Sequence, residues 1–417
     1  MSAEPAALHV MLVAGEPSGD LLGARLMRAL KRLTGGRVRF SGVGGDAMAA
    51  EGLSSLFPMS ELTIMGVVEI LPKARHLLGR VREVAAAARA GRPDVLVTID
   101  SPAFSFRVGK RLKGAGIPLV HYVAPTVWAW RPGRARVIAR FLDHLLVLLP
   151  FEPPWFEKVG LPCTFVGHSV VEDAPPPERL AVEARAFRAA HAIPEGAPVL
   201  CVLPGSRRSE VATLLPRFGE ALAILARDFP DLVAVVPTIP NVADRVAEAA
   251  AAWPVRAVVV PDRERKLVAM AAADAALAAS GTVTLELALA RVPMVVTYRV
   301  NPISAFAVRM LSRLKHVSLI NIMADREIVP EYLQEAATGT NLAAATSRLL
   351  SDPDARAAQV REMDSFLVAL GQGGTPPGER AAAALLSLLA ERGALPPGIP
   401  APARSGRASD ASSIHKE

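Results

Sequence analysis

The sequence predicts an α/β protein of two parallel-sheet domains, and three observations predict it. Short β-branched runs alternate with alanine- and leucine-rich helical stretches, the pattern of parallel sheets covered by helices. The alternation stops at the proline cluster DAPPPE (173–178) and then starts again. At 417 residues the chain is long enough to bury two separate cores.

In the first half the strands are expected at 9–14, 37–41, 95–99, 119–122 and 145–148. In the second half they are expected at 199–203, 232–237, 255–260, 275–278 and 294–298, with helices such as 214–228 and 282–290 between them. This divides the chain into a first domain (1–172), an interdomain connection (173–197) and a second domain (198–350). C-terminal helices (351–392) are expected to pack back on the first domain. From 393 to 417 the composition turns to Pro, Ala, Ser and Gly without periodicity, which predicts a disordered tail.

Composition narrows the function. Apolar residues make up 51% of the chain, yet no run of 18 apolar residues is unbroken, so a membrane span is not expected. Two cysteines, Cys163 and Cys201, make no disulfide framework and suit small core positions in a reducing compartment. No basic segment precedes the short apolar run at 8–14, so no secretory signal is expected and the location is cytoplasmic. A net charge of +7 favours anionic partners. With 5% aromatic residues and no zinc spacing or arginine-rich tail, nucleic acid is the weakest of three anionic partners, behind phosphorylated substrates and anionic lipid, and is not expected.

Four turns can carry chemistry. Glu16, Ser18, Gly19 and Asp20 lie in GEPSGD (15–20), where a strand runs into a helix and backbone N–H groups can meet an anion or a sugar hydroxyl; Ser18 and Asp20 equally suit helix capping. Asp100 ends the strand VLVTI, where a carboxylate can serve as a general base or cap the next helix. LPGSRRSE (203–210) offers Gly205 and Ser206 for close backbone approach and Arg207 as a fork for a diphosphate. Ser280, Gly281 and Thr282 open a further helix, and Glu286 one turn on can accept from ribose hydroxyls. The glycines of GVGG (42–45) lack dinucleotide spacing and suit a tight turn. Asp352 and Asp354 suit a helix cap, and no residue pattern predicts a metal site or a cofactor.

A seventh stretch, 65–88, divides at Pro72 into an apolar turn and a helix. At about 100° per residue the helix gathers Leu77, Leu78 and Val81 into a stripe flanked by cations that include Arg75 and Arg82. That pattern suits either a helix on a sheet or one lying in lipid headgroups. On the pattern alone the helix on a sheet is favoured.

Together the motifs AGEPSGD (14–20), GVGG (42–45), MGVVEIL (65–71), TIDSPAF (98–104), YVAPTVWAWRPGR (122–134), LPGSRRSE (203–210), SGTVTLELAL (280–289) and REIVPEYLQ (326–334) resemble the lipid-A-disaccharide synthases. The resemblance implies a GT-B architecture, two Rossmann-like domains whose parallel sheets face across a cleft. It implies transfer of 2,3-diacylglucosamine from UDP-2,3-diacylglucosamine to 2,3-diacylglucosamine 1-phosphate, forming a β-1,6-linked disaccharide. Asp100 then becomes the base on the acceptor 6-hydroxyl, and Arg207, Gly281, Thr282, Glu286 and Asn321 become donor contacts. The sequence departs from the family pattern with Ser105 in place of Asn, Ile320 in place of Pro and Asp325 in place of Gly. An inverting, metal-independent displacement is expected, with an anionic membrane surface on the inner face of the inner membrane as a partner and a homodimer left open; the diacylated substrates turn the reading of the 65–88 helix to the membrane, with Leu77, Leu78, Val81, Arg75 and Arg82 as docking residues. The competing enzymes are a murein glycosyltransferase and a non-hydrolysing UDP-GlcNAc epimerase. A non-catalytic binding protein on the same fold is the third alternative.

Overall fold

In the computed structural model, residues 7–62, 70–172, 174–262, 264–299 and 315–401 are described, and the chain divides into two units. The first unit holds β1 (Leu8–Ala14), α1 (Pro17–Leu33), β2 (Val38–Val43), α2 (Asp46–Ala50), α3 (Ile70–Gly91) and β3 (Val95–Ile99). It continues through α4 (Pro102–Leu112), β4 (Leu119–Tyr122), α5 (Arg134–Ile138), β5 (His144–Val147), α6 (Pro153–Glu157) and β6 (Cys163–Phe165). Its six strands pair in the order β2-β1-β3-β4-β5-β6, every pair parallel. β1 and β3 are buried along their whole length, as strands covered on both faces must be.

The second unit holds α7 (Pro177–Ala190), β7 (Val199–Leu203), α8 (Arg208–Asp228), β8 (Val233–Pro237), α9 (Pro240–Ala251), β9 (Arg256–Val260) and α10 (Lys266–Ala271). Then follow β10 (Ala275–Ala279), α11 (Val283–Leu289), β11 (Met294–Tyr298), α12 (Leu319–Ala324), β12 (Glu331–Leu333), α13 (Gly339–Ser351) and α14 (Pro353–Ala369). This sheet has the order β12-β11-β10-β7-β8-β9 and is again all parallel. In both sheets the direction of strand addition reverses beside the unit's first strand, between β1 and β3 and between β7 and β10. Ligands of open α/β sheets bind at the carboxyl ends of the strands at such a reversal.

The structure redraws several expected boundaries. Residues 173–197 are no free connection: in α7, Ala184 and Phe187 bury apolar side chains with Ile193 in a core of the second unit. The helices of 351–392 separate. α14 packs on α11, α12 and α13, and only α15 (Pro377–Glu391) returns to the first unit, burying Ala381, Ala382, Leu385 and Leu389 against α1. The expected tail begins too early, because Ile399 is buried in the same core; residues 402–417 lie outside the described residues. Asp352 does cap a helix, accepting from the backbone N–H groups of Asp354 and Ala355 at 3.0 Å.

The α3 stripe is corrected. Val81, Val84, Ala85 and Ala88 are buried against the sheet, and Leu77 is half-buried on the same core. Among the described side chains of the stripe only Leu78 stands out, 40% exposed, between the exposed Arg75 and Arg82. The reason is arithmetic, since a helix covering a sheet needs the same apolar stripe as one lying on lipid. The apolar turn at 65–69 lies outside the described residues. Among the described residues no helix is long and apolar enough to cross a membrane. Val81→Ser is therefore expected to lower stability by about 2–4 kcal/mol in urea denaturation. An unchanged midpoint would return Val81 to the surface.

Candidate functional site

Ala14 pairs with Ile99, so β1 and β3 end level and release their loops side by side at the first reversal. The two loops touch. A Cβ on Gly15 would stand 2.5 Å from Ser101 Oγ, so only glycine permits the approach. Asp100 and Ser101 both take left-handed backbone conformations, φ 50° and 44°, which aspartate tolerates better than most residues. Two such residues in succession are strained and are held by their surroundings. The Asp100 N–H donates to the Tyr122 carbonyl at 2.9 Å, and the Asp100 carbonyl accepts from Ser105 Oγ at 2.7 Å.

Asp100 is not a helix cap. That position belongs to Ser101, whose side chain makes no capping bond. Burial raises the Asp100 carboxyl above its ordinary value near 3.8, against the pull of the Ser101 N–H. Glu16 faces the same place. Its carboxyl is raised by partial burial and then by the Asp100 charge, and it takes a long contact of 3.5 Å from Ser101 Oγ. Ser18 is exposed beside it, while Gly19 is buried with Ile99 within contact distance.

Asp20 is spent elsewhere. Its carboxylate accepts from the backbone N–H groups of Gly45, Ala47 and Met48 at 2.7, 2.9 and 3.1 Å. It caps α2, which follows the GVGG turn, so both the direct sugar contact and the capping of its own helix give way to a clamp between neighbouring loops. Sequence reasoning also missed Glu152. This buried carboxylate takes Trp128 Nε1 at 3.2 Å and the N–H groups of Leu148 and Leu149 at 3.2 and 3.0 Å, and burial raises it to about 7. It fixes Trp128, whereas Trp130 stays 41% exposed with the Arg131 guanidinium 4.7 Å from its ring centre.

At the second reversal Leu203 pairs with Ala278, and again two loops leave together. Gly205 has φ 106°, a conformation open to glycine. Glu210 turns back into this loop, taking the N–H groups of Ser206 and Arg207 at 3.3 Å and Arg207 Nη1 at 2.7 Å. The Arg207 side chain remains 76% exposed. Ser280 Oγ donates to the Val317 carbonyl at 3.3 Å, and Gly281 and Thr282 are exposed. Thr282 and Glu286 line a cavity of about 430 Å³ with Ile239, Leu267, Met270 and Lys266. Lys266, which is ion-paired to Glu286, was not singled out from sequence; its only signal is its place at the start of α10, just after the loop that leaves β9.

Asn321 does not join them. It is fully buried, its Oδ1 accepts from the N–H groups of Ile328 and Val329 at 2.7 and 3.0 Å, and its Nδ2 donates to the Val329 carbonyl at 2.8 Å. It ties down the loop after α12, where Asp325 takes φ 50°, the conformation in which glycine is at home. Asn321→Ala is expected to cost about 2–4 kcal/mol in thermal or urea unfolding, with the folded variant binding UDP as the parent does. Lost UDP affinity at full stability would reinstate the nucleotide contact.

The family model for lipid-A-disaccharide synthetase matches residues 10–384. A lipid-A-disaccharide synthase from Rhodospirillum centenum is 55% identical over 92% of this chain and 96% of the relative. One from Paramagnetospirillum magneticum is 52% identical over 91% and 97%. Among solved structures, the UDP-GlcNAc 2-epimerase from Neisseria meningitidis bound to UDP-GlcNAc aligns with TM-score 0.60 at 13% identity, covering 92% of this chain and all of that one. MurG from Acinetobacter baumannii aligns with TM-score 0.56 at 15% identity, covering 91% and 99%. These distant likenesses establish the two-domain GT-B α/β fold, and the relatives establish more. The chain belongs to the lipid-A-disaccharide synthetase family and is a glycosyltransferase of lipid A biosynthesis.

Proposed function

We propose that this enzyme transfers 2,3-diacylglucosamine from UDP-2,3-diacylglucosamine to 2,3-diacylglucosamine 1-phosphate. The observation that carries the mechanism is Asp100, a strained carboxylate with a raised pKa at the strand-order reversal of the first sheet. Asp100 takes the proton of the acceptor 6-hydroxyl as that oxygen attacks the donor anomeric carbon opposite the UDP. The bond from that carbon to the diphosphate oxygen breaks, its electron pair leaves with UDP, and an α-linked donor gives a β-1,6-linked product.

On the UDP side, Arg207 exchanges the Glu210 carboxylate for the diphosphate, and Lys266 adds a second cation. The backbone of Gly205, Ser206, Gly281 and Thr282 approaches the phosphates, with Ser280 supporting its loop and Glu286 accepting from ribose hydroxyls. Glu16 and Ser18 face the acceptor sugar, while Gly19 and Asp20 hold the loop that carries them. The UDP-GlcNAc seen in the epimerase on this fold supports a UDP-sugar donor here. Diacylated substrates favour an enzyme working in the cytoplasm as a peripheral protein of the inner membrane, with Leu78, Arg75 and Arg82 on an outward face of α3.

The test is UDP release from purified donor and acceptor, with and without EDTA. Release that needs both lipids and survives EDTA is expected. No release refutes the substrate pair, and release restored only by magnesium or manganese refutes the metal-independent mechanism.

A further inference from the structure

A second cavity, of about 380 Å³, begins two residues beyond Asp100 at Pro102 and runs between α4 and α5. Its floor is apolar: Phe106, Ile138 and Phe141 are buried side chains that line it, and Val137, 41% exposed, stands at its mouth. Along α4 the lining runs from Pro102 to Lys110, nine residues spanning about 12 Å of helix. A narrow apolar trough of this length fits an extended hydrocarbon chain better than it fits a sugar or a nucleotide.

The rim is cationic. Arg107, Lys110 and Arg134 line the cavity, the Arg134 guanidinium lying 5.3 Å from the Phe106 ring centre and Lys110 Nζ 5.9 Å from that of Phe141. Among the described residues none of the three is in an ion pair with a carboxylate. From Ser101 to Leu142 the chain carries eight lysines and arginines and no aspartate or glutamate. An apolar trough edged by uncompensated positive charge is complementary to an amphiphile with an anionic head, the chains lying along the floor and the cations meeting the charge.

We propose that the α4–α5 trough is an acyl-chain subsite for the acceptor, holding one fatty chain of the phosphorylated sugar while the rim cations attract its phosphate. This rests on the acceptor reading above and adds a place for the chain. The Pro102 end of the trough lies two residues along the chain from Asp100, so an acyl chain seated in it draws the sugar toward the base. Binding energy from this remote part then orients the reacting hydroxyl.

The experiment titrates dodecyl phosphate and inorganic phosphate into the full chain by calorimetry, and measures KM and kcat for the diacylated acceptor. The variants are Ala103→Trp and Val137→Trp, which fill the trough from exposed positions, and Arg107→Gln with Lys110→Gln. Dodecyl phosphate is expected to bind at least tenfold more tightly than inorganic phosphate. Both filling variants should weaken it tenfold or more and raise the acceptor KM similarly, with kcat and UDP affinity little changed. Equal dodecyl phosphate binding by parent and filled variants overturns the subsite. So does an unchanged KM accompanied by weaker flotation with anionic vesicles, which would make the trough a membrane contact. If the parent transfers nothing to the diacylated acceptor while the filled variants still lose dodecyl phosphate, the acceptor reading fails and the trough stands as a lipid site.

Discussion

Asp100→Asn is expected to lower kcat for UDP release by about 10²–10⁴-fold, the range for loss of a general base, and to leave UDP affinity where it was. Asparagine is the informative substitution. It tolerates the left-handed backbone at φ 50° and keeps the N–H and carbonyl that bond Tyr122 and Ser105, whereas alanine would add backbone strain to the loss of the carboxylate. A base works deprotonated, so parent activity should fall as pH drops through a pKa raised above 3.8, and that limb should vanish from the residual rate of the variant. Stability runs the other way. A carboxyl whose folded pKa is raised costs stability once ionised, so its cost is absent below the unfolded pKa and complete above the folded one. The variant should therefore be at least as stable as the parent at neutral pH, the usual relation between a catalytic group and the fold that holds it. Near-normal turnover would remove Asp100 from the mechanism.

All ten strands expected from sequence are present, because each holds β-branched or apolar residues bounded by turn signals; most are buried throughout, while β2 and β9, at sheet edges, are buried only in part. The two that escaped, β6 and β12, are three-residue edge strands whose residues are only half-buried, so hydrophobicity scarcely marks them. The reversal points were legible only in part. Periodicity places Asp100 at the end of a strand, but that Gly15 meets Ser101 follows from the pairing of β1 with β3 across some 85 residues of chain. Polar side chains were the least legible. Asp20 and Asn321 stand in motifs that suggest ligand contact, yet both are committed to backbone groups of other loops, because a buried loop N–H must be satisfied from somewhere. Lys266 and Glu152 gave no pattern at all; each acts through a partner far along the chain, Glu286 for one and Trp128 for the other.

Arg207→Ala is expected to weaken UDP binding by about 10–100-fold, the loss that follows from about 1.5–3 kcal/mol for hydrogen bonds to a charged group. The fold should hardly notice. Among the described residues Arg207 pairs only with Glu210, one turn along an exposed helix start, and such pairs contribute about 0.5 kcal/mol or less. Binding and stability are thus separable at this position, and at Asn321 they separate the other way, stability falling while UDP affinity holds. Since negative charge on the diphosphate grows as UDP leaves, kcat/KM for the donor should fall further than UDP affinity alone. Arg207→Lys should recover part of the affinity, because a point charge replaces the attraction and not the fork. Glu210→Gln should do the opposite of Arg207→Ala: it removes the carboxylate that competes with the diphosphate for Arg207 and keeps an acceptor for the loop N–H groups. Isothermal titration with UDP reads all three. Unchanged affinity in Arg207→Ala, at unchanged stability, would place the diphosphate away from this loop and leave Lys266 as the cation that meets it.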